Sequence, residues 1–182
     1  DEALALKEVP KSIIVLGAGA VGVEFASIYR SYGSDVTIVE LLPRLVPVED
    51  DAVSAELQRA FKKRGIKAHT GSKVTRAAPT ADGVDLDVQL PDGKVENLKA
   101  DYLLVATGRG PVTDGLGAVE AGLRLDRGYI VVDEFYRTGV TGISAVGDVI
   151  SFGKPGHPQL AHVSTAEGIA VAERVAGQPP RT

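Results

Sequence analysis

The run Ser12-Ile-Ile-Val-Leu-Gly17-Ala-Gly19-Ala-Val-Gly22 constrains the fold of this chain more than any other feature of its sequence. An apolar stretch leads into three glycines spaced Gly-x-Gly-x-x-Gly, and a second apolar stretch ends at Glu40. This pattern predicts a strand, a tight turn, a helix, a second strand and a terminal acid. That order is the layout of a dinucleotide-binding βαβ unit.

Each glycine of the fingerprint has its own physical role. Gly17 permits the sharp exit from the strand, and Gly19 lets the backbone approach a pyrophosphate closely. Gly22 lets the helix pack close to the strand. Ala20 and Val21 begin the predicted helix, where unpaired N–H groups carry partial positive charge and suit phosphate. We therefore predict that all five residues belong to a cofactor site.

Glu40 completes the predicted site and indicates which dinucleotide it takes. A carboxylate at a strand tip can accept from both ribose hydroxyls of adenosine and would repel a 2′-phosphate, so the sequence favours NAD over NADP. A lone glycine fingerprint is a weak signal, and this one also suits FAD or the adenosine of S-adenosylmethionine. A glycine-rich loop in an unrelated α/β fold is the remaining alternative.

Composition excludes several other classes of protein. The chain has 182 residues, 44% of them hydrophobic, and a net charge of −4 without a basic stripe, which argues against a nucleic-acid surface. We find no apolar run of membrane-spanning length and no signal peptide. The chain contains neither Cys nor Met, so it has no thiolate chemistry of its own. The lack of Met leads us to expect a processed chain or part of a longer protein.

The pattern along the chain predicts an α/β fold in residues 1–112. An amphipathic helix over Ala20–Tyr32 should bury an apolar stripe. A three-stranded antiparallel meander and a buried strand that returns to the sheet should follow a second helix capped by Asp50 or Asp51. The stripe is Val21, Phe25, Ile28 and Tyr32, and the strands are Ser12–Leu16, Asp35–Glu40, Ile66–Thr70, Val74–Ala78, Val84–Leu90, Lys94–Ala100 and Asp101–Ala106.

Residues 113–182 have a different sequence pattern and form the second predicted domain. We expect short strands over Tyr129–Val132 and Ile143–Val146 and an Ala-rich helix over Val163–Ala176. These elements are too few to form an independent hydrophobic core. We therefore expect Val131, Ile143 and Val146 to be exposed.

Taken together, the motifs resemble those of the pyridine nucleotide–disulfide oxidoreductases, most closely the dihydrolipoamide dehydrogenase branch. The resemblance runs nearly end to end, with Ser144 as a departure where the family usually has an aromatic residue. The matching segments are Pro10–Ala26, Val105-Ala-Thr-Gly-Arg109, Thr138–Asp148, Leu160-Ala-His-Val163 and Ala166-Glu-Gly-Ile-Ala170.

The resemblance implies a Rossmann-like NAD-binding domain over residues 1–112 and an incomplete, returning part of a FAD-binding domain over 113–182. It implies NAD contacts at Gly108 and Arg109, and an Asp148 that binds the ribityl chain of FAD. It also implies that Glu24 pairs with a flavin-side Lys that this chain lacks. The FAD residues that it implies are Gly147, Asp148, Ala161 and His162, the last through its backbone.

The family's function would be oxidation of dihydrolipoamide on a 2-oxo acid dehydrogenase complex, with electrons passing through FAD to NAD. A homodimer in the cytoplasm, or in the mitochondrial matrix of a eukaryote, is implied as well. The redox Cys pair, the first FAD fingerprint and the C-terminal base are not in this chain, so we expect the chain alone to be inactive. An NADH oxidase, another disulfide reductase or a non-catalytic NAD-binding fragment remain alternatives.

Simpler explanations exist for several of these residues. Glu24 could be a helix-start acid favoured by the macrodipole, and Asp148 could be a turn residue after glycine. Arg44 is explained by an exposed surface position, and Arg109 at a strand tip is the better phosphate partner. The three histidines, His69, His157 and His162, lack helical ligand spacing and predict no metal site.

Overall fold

The computed structural model describes residues 2–154 and 156–178, and it divides into two compact units. Unit 1 extends to Gly108 and unit 2 begins at Arg109. Each unit has its own sheet and its own buried apolar residues. The α/β class predicted from the sequence is confirmed.

Unit 1 combines helices with a parallel and an antiparallel sheet. Its elements are β1 Ser12–Leu16, α1 Ala20–Ser31, β2 Asp35–Val39, α2 Asp51–Lys63, β3 Lys67–His69, β4 Lys73–Thr80, β5 Gly83–Gln89, β6 Val95–Ala100 and β7 Tyr102–Val105. The four-stranded parallel sheet has the strand order β3-β2-β1-β7. The separate antiparallel sheet has the order β4-β5-β6.

The predicted meander is confirmed, whereas the burial predicted for the returning strand is wrong. In β5, Leu86 and Val88 are fully buried and anchor an apolar cluster together with residues of β1 and β2. Strand β7 pairs with β1 but lies at the edge of its sheet, and its terminal residues Tyr102 and Val105 are exposed. An apolar run alone does not distinguish an edge strand from a central one.

Helix α1 buries a different face from the predicted stripe. Val21, Ile28 and Tyr32 are exposed, and Phe25 is half-buried. The buried residues are Gly22, Val23, Ala26 and Tyr29. Gly22 lies on this face because the start of the helix approaches the turn after β1 so closely that only glycine fits there. This close backbone approach sets the rotation of the helix, and Val21, Ile28 and Tyr32 are left exposed.

Asp101 ties the beginnings of β1 and β7 together. Its carboxylate accepts from the backbone N–H groups of Lys11 at 2.7 Å and Ser12 at 3.1 Å, and from the Ser12 hydroxyl at 3.1 Å. These donors, the Ser12 N–H foremost, lower the pKa of Asp101 below its ordinary value. The charged form therefore stabilises the fold above the ordinary carboxyl pKa, and this contribution is lost as the pH falls through the lowered value.

We expect Asp101→Asn to lower the thermal midpoint at pH 7, because the substitution removes the charge that Lys11 and Ser12 stabilise. The difference from the unaltered chain should begin to shrink below about pH 4, where the carboxyl of the unfolded chain starts to be protonated, and shrink further as the pH falls through the lowered pKa of the folded state. Thermal unfolding followed by circular dichroism at pH 7 and pH 3 measures this, with the exposed Asp114→Asn as the control. A difference of the same size at both pH values would contradict the assignment.

Unit 2 contains a small three-stranded sheet and one long helix. Strand β8 (Leu125–Asp126) forms a hairpin with β9 (Tyr129–Val131), which pairs in parallel with β10 (Ile150–Ser151). Helix α3 (Ala161–Val175) follows a short 3₁₀ turn over Gly147–Val149. Ile130, Val132 and Ile150 form the core of the unit. None of the helices in the described residues is long and apolar enough to cross a membrane.

The strand predicted over Ile143–Val146 is wrong. Within the described residues this segment makes a single antiparallel bridge, between Arg137 and Ser144, and no ladder. The expectation of exposure is also only partly correct, since Ile143 is 36% exposed whereas Val131 and Val146 are half-buried. Apolar β-formers give strand propensity, but a ladder needs a neighbouring strand with unpaired backbone groups.

Candidate functional site

The glycine turn of unit 1 is held between the two strands that flank β1 in the parallel sheet. The Gly17 N–H donates to the carbonyl of Val39 at the end of β2, at 2.8 Å. Gly17 has a φ of +101°, and a Cβ on it would lie 2.5 Å from the carbonyl oxygen of Ala106, just beyond β7. Only glycine combines this conformation with this approach. The turn is therefore fixed at the carboxyl edge of the sheet, where open α/β sheets bind their ligands.

Gly19 and the start of α1 form the open side of the turn. Gly19 is the N-cap of α1, and no side chain caps the helix there. A Cβ on Gly19 would meet no atom of the chain within 4 Å. By contrast, the start of α2 is capped by Asp50, which accepts from the Ala52 N–H at 2.8 Å. The space in front of the first N–H groups of α1, at Ala20 and Val21, is thus open to an anion.

Gly22, in the first turn of α1, packs directly against the glycine turn. A Cβ at this position would overlap the carbonyl oxygen of Gly17 and lie 3.0 Å from its carbonyl carbon. The third glycine of the fingerprint therefore serves helix–strand packing, as its spacing predicts.

Glu40 lies directly after β2, beside the turn, and is only 8% exposed. One carboxylate oxygen accepts from the Ala18 N–H at 2.6 Å, and the other accepts from the Leu42 N–H at 2.8 Å. Two backbone donors thus hold the carboxylate against the glycine turn, which sequence reasoning did not predict. A carboxylate offers about four acceptor positions, so capacity remains for two hydroxyl donors.

The remaining predicted residues of unit 1 have other surroundings. Glu24 is exposed on α1, so it carries no cost of burial. The Arg44 guanidinium pairs with Asp51 and donates to the carbonyl oxygens of Pro47 and Glu49, which ties the loop after β2 to the start of α2. Gly108 has a φ of +139° at the end of the unit.

In unit 2, Arg109 and Asp148 come together. The Nε of Arg109 lies 3.8 Å from a carboxylate oxygen of Asp148, and both side chains are partly exposed. The Tyr129 hydroxyl donates to the carbonyl of Arg109 at 3.2 Å and so fixes the backbone beside this pair. The sequence predicted a nucleotide contact for each residue but not their proximity.

Two residues that sequence reasoning did not assign to the site support the turn before Asp148. Glu167 on α3 is 4% exposed, and one of its oxygens accepts from the Gly147 N–H at 2.7 Å. Its other oxygen lies 3.3 Å from Nε2 of the nearly buried His157. Gly147 has a φ of +80°, so this contact holds a turn that favours glycine. The sequence signal that could have indicated this buried contact is an acidic residue, Glu167, within an Ala-rich helix.

Ala161 and His162 are the first two residues of α3, and both are exposed. As in α1, no side chain caps this helix at its N-cap, Leu160. His69 lies in β3 with its Nδ1 3.8 Å from Glu96. Within residues 2–154 and 156–178, no group of three or more His, Asp or Glu side chains could hold a metal ion.

Comparisons with known proteins agree with this geometry. A family model described as pyridine nucleotide-disulphide oxidoreductase matches residues 1–168. The dihydrolipoyl dehydrogenase of Chlorobaculum tepidum is 45% identical over 179 residues, which cover 98% of this chain and 37% of that protein. The same-named protein of Rhizobium etli is 43% identical over 178 residues, covering 98% and 36%.

A solved structure is similar as well. The HOCl-induced flavoprotein disulfide reductase RclA from Escherichia coli matches with a TM-score of 0.85 and 31% identity, over 98% of this chain and 39% of its own. The chain spans little more than a third of the length of these relatives.

Proposed function

The chain belongs to the pyridine nucleotide-disulphide oxidoreductase family, and we propose that it is the nucleotide-binding portion of a flavoprotein dihydrolipoyl dehydrogenase. The observation that carries the proposal is the glycine turn, with an uncapped helix start on its open side and a fixed carboxylate at the tip of β2. This arrangement supplies backbone donors for a pyrophosphate and acceptors for a ribose at one edge of a sheet.

Unit 1 suits NAD. The open space at Gly19 admits the pyrophosphate, and the N–H groups of Ala20 and Val21 would bind its oxygens. Glu40 would accept from the adenosine ribose hydroxyls, and its negative charge would repel the 2′-phosphate of NADP. Because the N–H groups of Ala18 and Leu42 hold the carboxylate in place, it would be positioned to discriminate between NAD and NADP before the nucleotide binds.

Unit 2 suits part of a FAD site. Asp148 is half exposed, and Arg109 lies beyond hydrogen-bond distance from it, so its oxygens can accept from the ribityl hydroxyls. The uncapped start of α3 at Ala161 and His162 offers backbone N–H groups to a flavin carbonyl. FAD, when bound, supplies the two-electron relay between thiols and NAD. Glu167 and His157 would keep the Gly147 turn in place for this contact.

The whole protein would oxidise dihydrolipoamide carried by a 2-oxo acid dehydrogenase complex, as a homodimer. Since the chain contains no Cys, the thiol–disulfide step would use residues outside these 182. The likeness to RclA supports a second candidate within the family, another flavoprotein disulfide reductase. Assay of the full-length protein with dihydrolipoamide and NAD discriminates between the two.

We expect the chain to bind NAD more tightly than NADP, and Glu40→Gln to weaken NAD binding about tenfold or more. Loss of a charged hydrogen-bond acceptor costs about 1.5–3 kcal/mol. Calorimetric titration of both nucleotides measures the dissociation constants. Glu49→Gln, an exposed charge change in the same loop, should leave them unchanged. Equal affinity for the two nucleotides, or tighter binding of NADP, would refute the assignment of Glu40.

A further inference from the structure

A small cavity of unit 2 is lined by basic and hydroxyl side chains. Its volume is about 290 Å³, close to the lower end of the range for ligand pockets. None of the described residues that line it is Asp or Glu. The polar lining residues are Arg127, Tyr129, Ser151, Lys154, His157 and Gln159.

Arg127 occupies an unusual backbone position. It forms the two-residue turn of the β8–β9 hairpin with Gly128, and their φ angles are +50° and +85°. A hairpin turn with positive φ at both central residues favours Asn or Asp at the first position and Gly at the second. An arginine there is held in a conformation that L side chains rarely adopt, and such outliers concentrate at functional sites.

The turn places a mostly exposed guanidinium at the cavity. Its Nε lies 3.5 Å from Asp126, also partly exposed, so most of its donors stay available. Lys154 lies on the loop after β10 and adds a second positive charge to the lining.

Hydrogen bonds position the hydroxyl and amide groups of the cavity lining. The buried Ser151 hydroxyl accepts from the Gly153 N–H at 3.0 Å, which leaves its own proton to donate. The Gln159 amide donates to the carbonyl of Asp148 at 3.2 Å and lies 3.5 Å from the Tyr129 hydroxyl. Nε2 of His157 lies 3.3 Å from a carboxylate oxygen of Glu167. Hydrogen bonds thus hold Ser151 and Gln159 in place, whereas the side chains of Arg127 and Lys154 can move toward a ligand.

We propose that this cavity binds a phosphate-class oxyanion, with Arg127 and Lys154 as its charged ligands and Ser151 as a neutral donor. Two cations without a lining acid favour a multiply charged anion, and the guanidinium fork matches phosphate geometry. The ligand is free phosphate or the phosphate group of a small ester. The site is formed by unit 2 alone and is independent of the NAD assignment.

Titration of the isotopically labelled full chain with inorganic phosphate at constant ionic strength, followed by amide NMR shifts, tests the proposal. We expect saturable shifts at Gly128, Ser151 and His157 at millimolar phosphate. Arg127→Asn and Lys154→Gln should each weaken binding about tenfold or more. Because Asn suits this turn better than Arg, Arg127→Asn should not lower thermal stability.

Arg124→Asn is the matched control, since it makes the same charge change three residues away and Arg124 lines a different groove. It should leave phosphate binding unchanged. Glycerol phosphate in a parallel titration separates the two sources: tighter binding than phosphate indicates an ester, and equal binding indicates the free anion. Absence of saturable shifts, or equal weakening by Arg124→Asn and Arg127→Asn, would overturn the proposal.

Discussion

Gly19→Val is expected to abolish NAD binding while the chain keeps its fold. Gly19 has a φ of −69° and an extended ψ, which valine readily adopts, and a Cβ there would meet no atom of the chain within 4 Å. The new side chain would instead occupy the space that the pyrophosphate needs. Valine is a poorer N-cap than glycine, so stability should fall by about 1 kcal/mol.

Calorimetry with NAD at concentrations that saturate the unaltered chain, beside circular dichroism of both proteins, measures the two parts of this prediction. Gly110→Val is the matched control, because a Cβ at Gly110 also meets open space and its φ is not positive. The control should bind NAD normally. A folded Gly19→Val variant that still binds NAD would show that Gly19 lies outside the cradle.

The glycine turn could be predicted from the sequence because its determinants are local. A strand, three glycines and an acid specify their own geometry over a short stretch of chain. The Ala18 N–H donor on Glu40 was not predicted, because Ala18 reaches the carboxylate only once β1 and β2 are paired. The second donor, Leu42, lies only two residues along the chain, but no motif indicated it. Glu40, which we propose to bind the ribose, thus also holds the glycine turn.

The face of α1 shows where hydrophobic periodicity fails. Val21, Phe25, Ile28 and Tyr32 have the spacing of a buried stripe, yet the helix rotates to place Gly22 and Ala26 against the sheet. Periodicity weighs side chains by apolar area, whereas this interface is decided by how closely two backbones approach. The contact of His157 with Glu167 in unit 2 was not predicted for a related reason. It joins a loop and a helix that no local sequence pattern connects.

The same argument makes Gly22→Ala a disruptive substitution despite its small size. An alanine in a helix normally gains about 0.5–1 kcal/mol over glycine, since it restricts the unfolded chain. Here its Cβ would overlap the carbonyl oxygen of Gly17, a backbone atom fixed by the Gly17–Val39 hydrogen bond. Overpacking of this kind costs about 1–3 kcal/mol and occasionally more, so the net sign should reverse.

Gly168→Ala provides the matched comparison, because it makes the identical change in the interior of α3, where a Cβ meets nothing within 4 Å. Hydrogen exchange read by mass spectrometry reports each unit separately. Peptides from β1 and α1 should lose protection in Gly22→Ala, and peptides from α3 should gain protection in Gly168→Ala. Equal gains in both variants would mean that α1 can move away from the turn at no cost, and the close approach assigned to the third glycine would then not be required for the fold.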